Sequence, residues 1–185
     1  MFPEVEEVRR RLTDFPGDYW IAGGWAVDLR LGFQSRPHKD IEIAIDRREQ
    51  ALLLKLPQLG RIEYAHGGQL FRWAGEPLLL PIHELYAYFT DGFTLEVLLN
   101  EFDGNDWLYR RNAHVKLEYT RFLRGEALPA VVPLLYKSKH PRAKDEQDFE
   151  SLLPLLDNGD RLWLREAIAR DYPRHHWIDK LKEKA

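Results

Sequence analysis

Residues 21–45 read IAGGWAVDLRLGFQSRPHKDIEIAI. Two glycines open a short amphipathic segment, a charged loop follows, and a strand then begins with acids set among isoleucines. Asp40 and Glu42 are two residues apart, so on an extended chain both side chains leave the same face. A carboxylate on a strand that must otherwise bury itself is costly without a partner. Two such groups side by side repel each other and demand a cation. GWAVDLRLG (24–32) reads as a short helix stopped at Gly32. Pro37 disfavours helix at Arg36, which leaves 33–39 as loop. IEIAI (41–45) is a strand with its isoleucines on one face and Asp40, Glu42 and Ala44 on the other.

Working outward, residues 4–14 place Val5, Val8 and Leu12 at helical spacing among Glu and Arg. YWIAG (19–23) is a short strand running into the glycines. Asp46 is placed to cap the next helix, with Glu49 three residues later reaching back as a capping box. From 60 to 110 the pattern turns to strands: RIEYAH, QLFRWAG, PLLLPIHELYAYF and FTLEVLLNEF, with Asp91-Gly92 as a hairpin turn. WLYRRN and VKLEYTRF continue that β-rich part. After Pro129 the chain turns helical, first AVVPLLYKSK, where Pro133 fits only in the opening turn. KDEQDFESLLPLL and DRLWLREAIARDY follow as further helices.

The chain has 185 residues, enough for one good core or two small lobes sharing an interface. Hydrophobic residues make up 44%, so this is a folding sequence. Lys and Arg number 27 against 30 Asp and Glu, a formal charge of −3. That balance gives no global attraction for nucleic acid, which disfavours a polynucleotide partner. With no cysteine there is no disulfide framework and no thiolate metal site or nucleophile. MFPEVEEVRRRL lacks the apolar run of a signal peptide, and no stretch approaches eighteen apolar residues in a row. The expectation is a soluble, cytoplasmic protein without a membrane partner; the sequence selects no oligomeric state.

Oxygen-only ligands favour Mg²⁺, or Mn²⁺, over Zn²⁺. Magnesium takes one or two protein carboxylates and completes its shell with water and substrate phosphates. Gly23-Gly24 precedes a helix, where free backbone N–H groups and the dipole favour a phosphate that glycine lets approach closely. Glu96 in FTLEVLL is another lone acid inside an apolar strand and the candidate third carboxylate. Each feature alone has a bland reading: a turn, a solvated edge, an acid facing water. Their order along the chain carries the inference.

GGWAVDLRLG…RPHKDIEIAI resembles the signature of the DNA-polymerase-β-like nucleotidyltransferase superfamily. GGWA-x-D-x-x-LG and R-x-H-x-D-I-(D/E) are similar to the aminoglycoside 2''-nucleotidyltransferases and lincosamide nucleotidyltransferases within it. LLYKSKHPRAKDEQDFESLLPLL, WLREAI and HHWIDKL resemble the C-terminal part of bacterial relatives in that group. The resemblance implies an α+β fold: a palm-like mixed sheet with flanking helices over residues 1–128, and a small helical region over 129–185 packed on it. It implies phosphate contacts at Gly23 and Gly24, and metal ligands and catalytic carboxylates at Asp40, Glu42 and Glu96. Arg36, Lys137 and Lys144 become candidates for the triphosphate, with Asp145 and Asp148 fixing local structure. Close relatives commonly carry Asp where this chain has Glu42 and Glu96, and the longer side chains alter metal geometry.

The implied reaction moves a nucleoside monophosphate from a triphosphate, ATP first among them, to a hydroxyl of a small molecule, with antibiotics among the acceptors. Glu96 is expected as a metal ligand ahead of a role as base. Two other readings stay open: a catalytically detuned nucleotide-binding or partner-binding relative, and a protein-modifying nucleotidyltransferase of toxin–antitoxin type. Elsewhere, Asp28 is expected to pair with Arg36 or to cap the loop. Arg36, His38 and Lys39 are loop charges that either reach phosphate or stay solvated. Trp73, Tyr86, Tyr88 and Trp107 are more often core than an acceptor wall. His175-His176 lacks the neighbours of a metal site.

Overall fold

A computed structural model describes residues 2–182. Eight strands form one mixed sheet in these residues. Its main path runs β1 (Tyr19–Ile21), β2 (Glu42–Asp46), β6 (Thr94–Phe102), β5 (Glu84–Phe89), β3 (Leu59–His66) and β4 (Gln69–Trp73). β7 (Asp106–Leu108) pairs with β6 and with β8 (Lys116–Glu118). The β2–β6 pair is parallel and the other strand pairs are antiparallel. β4 ends the main path, with Leu70 and Phe71 exposed.

The strict alternation of the strands builds two cores. Ile43, Ile45, Leu85, Val97 and Leu99 point to one side and meet Val5 and Val8 of α1 (Pro3–Arg11). Trp20, Ala44 and Phe102 point to the other side. There they meet Val132 and Leu135 of α3 (Val131–Lys137), Phe149 of α4 (Ala143–Leu152), Leu164 of α5 (Asn158–Asp171) and Trp177 of α6 (Trp177–Lys180). A fully buried Leu or Phe contributes roughly 1.5–3 kcal/mol by leaving water. The sheet therefore has no face that could do without its helices.

Local signals explain most boundaries. α1 begins at Pro3, carries Glu4 and Glu6 in its first turn and Arg9, Arg10 and Arg11 in its last, matching its dipole; it stops at Arg11, short of residue 14. α2 (Gly23–Leu31) ends at Gly32, whose φ of 80° is left-handed. Pro133 falls in the opening turn of α3, where its missing N–H would have had no helical partner. The linker into α3 lies beside β1: Ile21 N–H donates to Glu126 O at 2.8 Å and Leu128 N–H to Ile21 O at 2.9 Å.

Two expectations fail. Asp46 does cap the segment after β2, accepting from Arg48 N–H at 2.8 Å, but Glu49 completes no capping box. Its Oε2 accepts instead from the backbone N–H of Asp18 at 3.0 Å, and residues Arg47–Lys55 wind as 3₁₀ helix. Residues 77–83 are not strand, since Pro77 and Pro81 have no N–H for a ladder. Arg47 holds that stretch, donating to Leu78 O at 3.0 Å and Ile82 O at 2.7 Å. Among the described residues no helix is long and apolar enough to cross a membrane.

Candidate active site

Parallel pairing sets Glu42 of β2 opposite Glu96 of β6. Both stand on the face that carries Ala44 and Leu98 further along. Helices cover Ala44, but near Glu42 they stand off and leave a cavity of about 690 Å³. Gly23, Gly24, Asp40 and Glu42 line it, and Arg36, Lys137 and Lys144 line it too. Glu96 lies instead in a second cavity of about 450 Å³ with Tyr86, and Asp40, His38 and Lys39 border both spaces. The structure thus gathers the expected residues, with Glu96 across a partition built around Asp40.

The two glycines are required by side chains of this chain itself. A Cβ at Gly23, whose φ is +58°, would lie 1.2 Å from Glu42 Oε2. A Cβ at Gly24 would lie 2.3 Å from His38 Nδ1. Any larger residue would push aside the Glu42 carboxylate or the His38 imidazole. Of the two roles expected for Asp28, the structure shows the loop cap and not the pair with Arg36. Fully buried, Asp28 accepts from Ser35 N–H at 3.1 Å and Ser35 Oγ–H at 2.5 Å, and His38 Nε2 lies 2.5 Å from its other oxygen. The loop is thereby folded back on α2. Arg36 turns away to Asp148 of α4, with Nε and Nη2 at 3.2 and 3.0 Å from the two carboxylate oxygens.

Charge is sharply divided across the site. Burial, then the charges of Glu42, Glu84 and Asp40, pushes the Glu96 carboxyl up to about 8. Burial raises Glu42 too, opposed by Lys137 and reinforced by Asp40. Among the described residues, Asp40, Glu42 and Glu96 have no ion pair within 4 Å. On the opposite wall Lys137 Nζ contacts Asp148 at 2.9 Å and Asp145 at 3.1 Å, and Arg142 Nε contacts Asp145 at 2.7 Å. Burial would raise Asp145, but the hydrogen bonds from Arg142 and the charge of Lys137 outweigh it and hold its carboxyl at about 2. Among the described residues Lys144 has no ion pair, and it lines the cavity.

A crowded set of uncompensated carboxylates, two with raised proton affinity, fits a divalent cation. Among the described residues no three His, Asp or Glu side chains converge as a ready-made metal cage. Such a cage is not needed for magnesium, which keeps most of its shell for water and phosphate.

The sequence reading missed Glu84, whose carboxylate accepts from the Tyr86 hydroxyl and whose charge acts on Glu96. The alternation of ELYAY puts Glu84 and Tyr86 on one face, a signal that was present. It also missed His83 and Arg110 on the cavity wall, which tertiary folding alone brings there. Of the four aromatics weighed as an acceptor wall, Trp73 and Trp107 are core and Tyr88 lies 3.9 Å under the Arg61 guanidinium. Tyr86 alone of the four borders a cavity among those described. His176 Nε2 pairs with Glu146 at 2.9 Å, away from both spaces.

Residues 4–150 match the family described as aminoglycoside-2''-adenylyltransferase. The chain belongs to that family. A lincosamide resistance protein of Staphylococcus haemolyticus is 37% identical over 71 residues, 38% of this chain. The match spans 40% of that protein's own length. The lincosamide antibiotic adenylyltransferase LnuA, solved with lincomycin bound, superposes with a TM-score of 0.56 at 18% identity, covering 84% of this chain and 98% of that one. ANT(2")-Ia, solved in complex with adenylyl-2"-tobramycin, also gives 0.56, at 16% identity, covering 91% and 99%. At these identities the likeness is one of fold, and it is the mixed sheet with flanking helices expected for a nucleotidyltransferase of this family.

Proposed function

We propose that the chain transfers AMP from ATP to a hydroxyl of a small molecule, with antibiotics of the aminoglycoside and lincosamide classes as the first acceptors to test. The carrying observation is a single cavity that joins the glycine turn and the Asp40–Glu42 pair to Arg36, Lys137 and Lys144. Family membership supports the reaction class, and the family's solved relatives are named for lincomycin and for an adenylylated tobramycin.

In this reading the N-terminus of α2 and the facing cations bind the triphosphate. Asp40 and Glu42, with Glu96 from the neighbouring space, hold Mg²⁺ or Mn²⁺. Such an ion supplies a lowered pKa for a bound hydroxyl and neutralises charge on the leaving pyrophosphate. The acceptor approaches through the second cavity, so that donor and acceptor meet at the Asp40 partition. Glu96 is a metal ligand ahead of a base; as a base it would take the hydroxyl proton in its ionised form, which a bound cation would favour.

Titration calorimetry of ATP with and without Mg²⁺, on wild type and Asp40→Ala, tests the donor half. Metal-dependent binding lost in the variant supports it; no binding of any nucleoside triphosphate with either metal removes it. Pyrophosphate release with tobramycin and with lincomycin then tests the acceptor classes.

A further inference from the structure

Two fully buried carboxylates lie directly behind the cavity without lining it, Asp28 and Asp148. Asp28 secures the loop to its own helix. Asp148 does something different, because it joins cations from two separate segments. It takes Arg36 Nε and Nη2 on its two oxygens at 3.2 and 3.0 Å, a two-point grip that fixes the plane of the guanidinium. The same carboxylate takes Lys137 Nζ at 2.9 Å.

Counting donors shows what this leaves. Lys137 has three N–H groups; one donates to Asp145 while Nζ forms an ion pair with Asp148, so at least one remains for the cavity that Lys137 lines. Arg36 has five N–H donors. Asp148 takes two, and Nη1 lies 3.0 Å from His38 Nδ1 and 3.5 Å from Pro37 O, which leaves one Nη2 N–H free. One buried anion thus touches both cations, and each keeps a donor for the cavity.

We propose that Asp148 is the positioning residue of the phosphate site: it sets Arg36 of the loop and Lys137 of α3 at a fixed separation across the cavity, so that both meet the outer phosphates of a bound nucleoside triphosphate. The inference rests on the nucleotide reading given above. It makes α4 part of the binding machinery without α4's own residue touching the ligand.

The test compares the affinities of Mg²⁺-ATP and AMP for wild type, Asp148→Asn, Arg36→Gln and the double variant, by calorimetry on the full chain. Charge alone predicts that removing an anion beside two cations strengthens their pull on a triphosphate. Positioning predicts the reverse: Asp148→Asn weakens ATP by about tenfold, the loss of one well-placed charge-assisted hydrogen bond, and leaves AMP unchanged. The double variant should then be no weaker than the worse single one. Equal or tighter ATP binding in Asp148→Asn overturns the proposal, as does a parallel loss of AMP, which would mark a general structural defect. Should Asp148→Asn fail to fold, Arg36→Lys serves instead, since an ammonium cannot be gripped at two points; it should show the same selective loss, and an unchanged ATP affinity overturns the proposal. A wild type that binds neither nucleotide overturns the nucleotide reading together with this one, whereas wild-type binding with an unaltered ATP-to-AMP ratio in the variants overturns this one alone.

Discussion

At the scale of single residues, Glu96 makes the sharpest prediction. Its folded carboxyl is raised from 4.5 to about 8, so between those values the folded chain holds a proton that the unfolded chain has released. Stability of the metal-free protein should therefore fall as pH rises through that window. Denaturant melts in a chelating buffer should show this slope, Glu96→Gln should flatten it, and added Mg²⁺ should oppose it; a slope indifferent to Glu96→Gln would contradict the assignment. Gly23 and Gly32 offer a matched pair. Both have positive φ, but a Cβ at Gly32 meets nothing within 4 Å whereas one at Gly23 collides with Glu42. Gly32→Ala should cost only the left-handed backbone penalty, about 1–2 kcal/mol, and leave Mg²⁺-ATP binding alone. Gly23→Ala should lower the melting temperature further and abolish binding. That Asp40 and Glu42 share a cavity with the glycines was legible because acids stand out beside an apolar strand, whereas Glu96 falls in the neighbouring space. The partner of Arg36 was not legible, since Asp148 is far along the chain and no local rule links the two.

At the scale of elements, alternation and capping predicted the strands around the site and the stop of α2, while the two failures arose from competition. Glu49 left its own helix start for the amide of Asp18, and the prolines of 77–83 removed the donors that a strand needs. α4 is held by Phe149, fully buried and stacked on Trp177 with centroids 4.1 Å apart. Phe149→Ala should cost about 3–5 kcal/mol in a denaturant melt. Because α4 also carries Asp148, loosened packing there should appear as weaker nucleotide binding below the melting range. A variant that loses stability yet binds Mg²⁺-ATP normally at low temperature would separate the two roles of the helix.

At the scale of the whole molecule, the sheet is a shared wall between two cores, one closed by α1 and the other by α3 to α6. Neither side is dispensable, so thermal unfolding should follow one transition by circular dichroism and by tryptophan fluorescence alike. A chain cut after residue 128 should fail to fold, for it would expose Trp20, Phe102 and Trp107 together. The sheet also treats its two ends unequally. The strap at residues 126–128 hydrogen-bonds along β1, while β4 closes the main path with Leu70 and Phe71 bare beside its unmatched backbone groups. An open strand edge of that kind is a template for further strands. Copies of the chain crowded or warmed below the transition should begin to aggregate from β4, and a lysine in place of Leu70 should delay turbidity without touching either cavity.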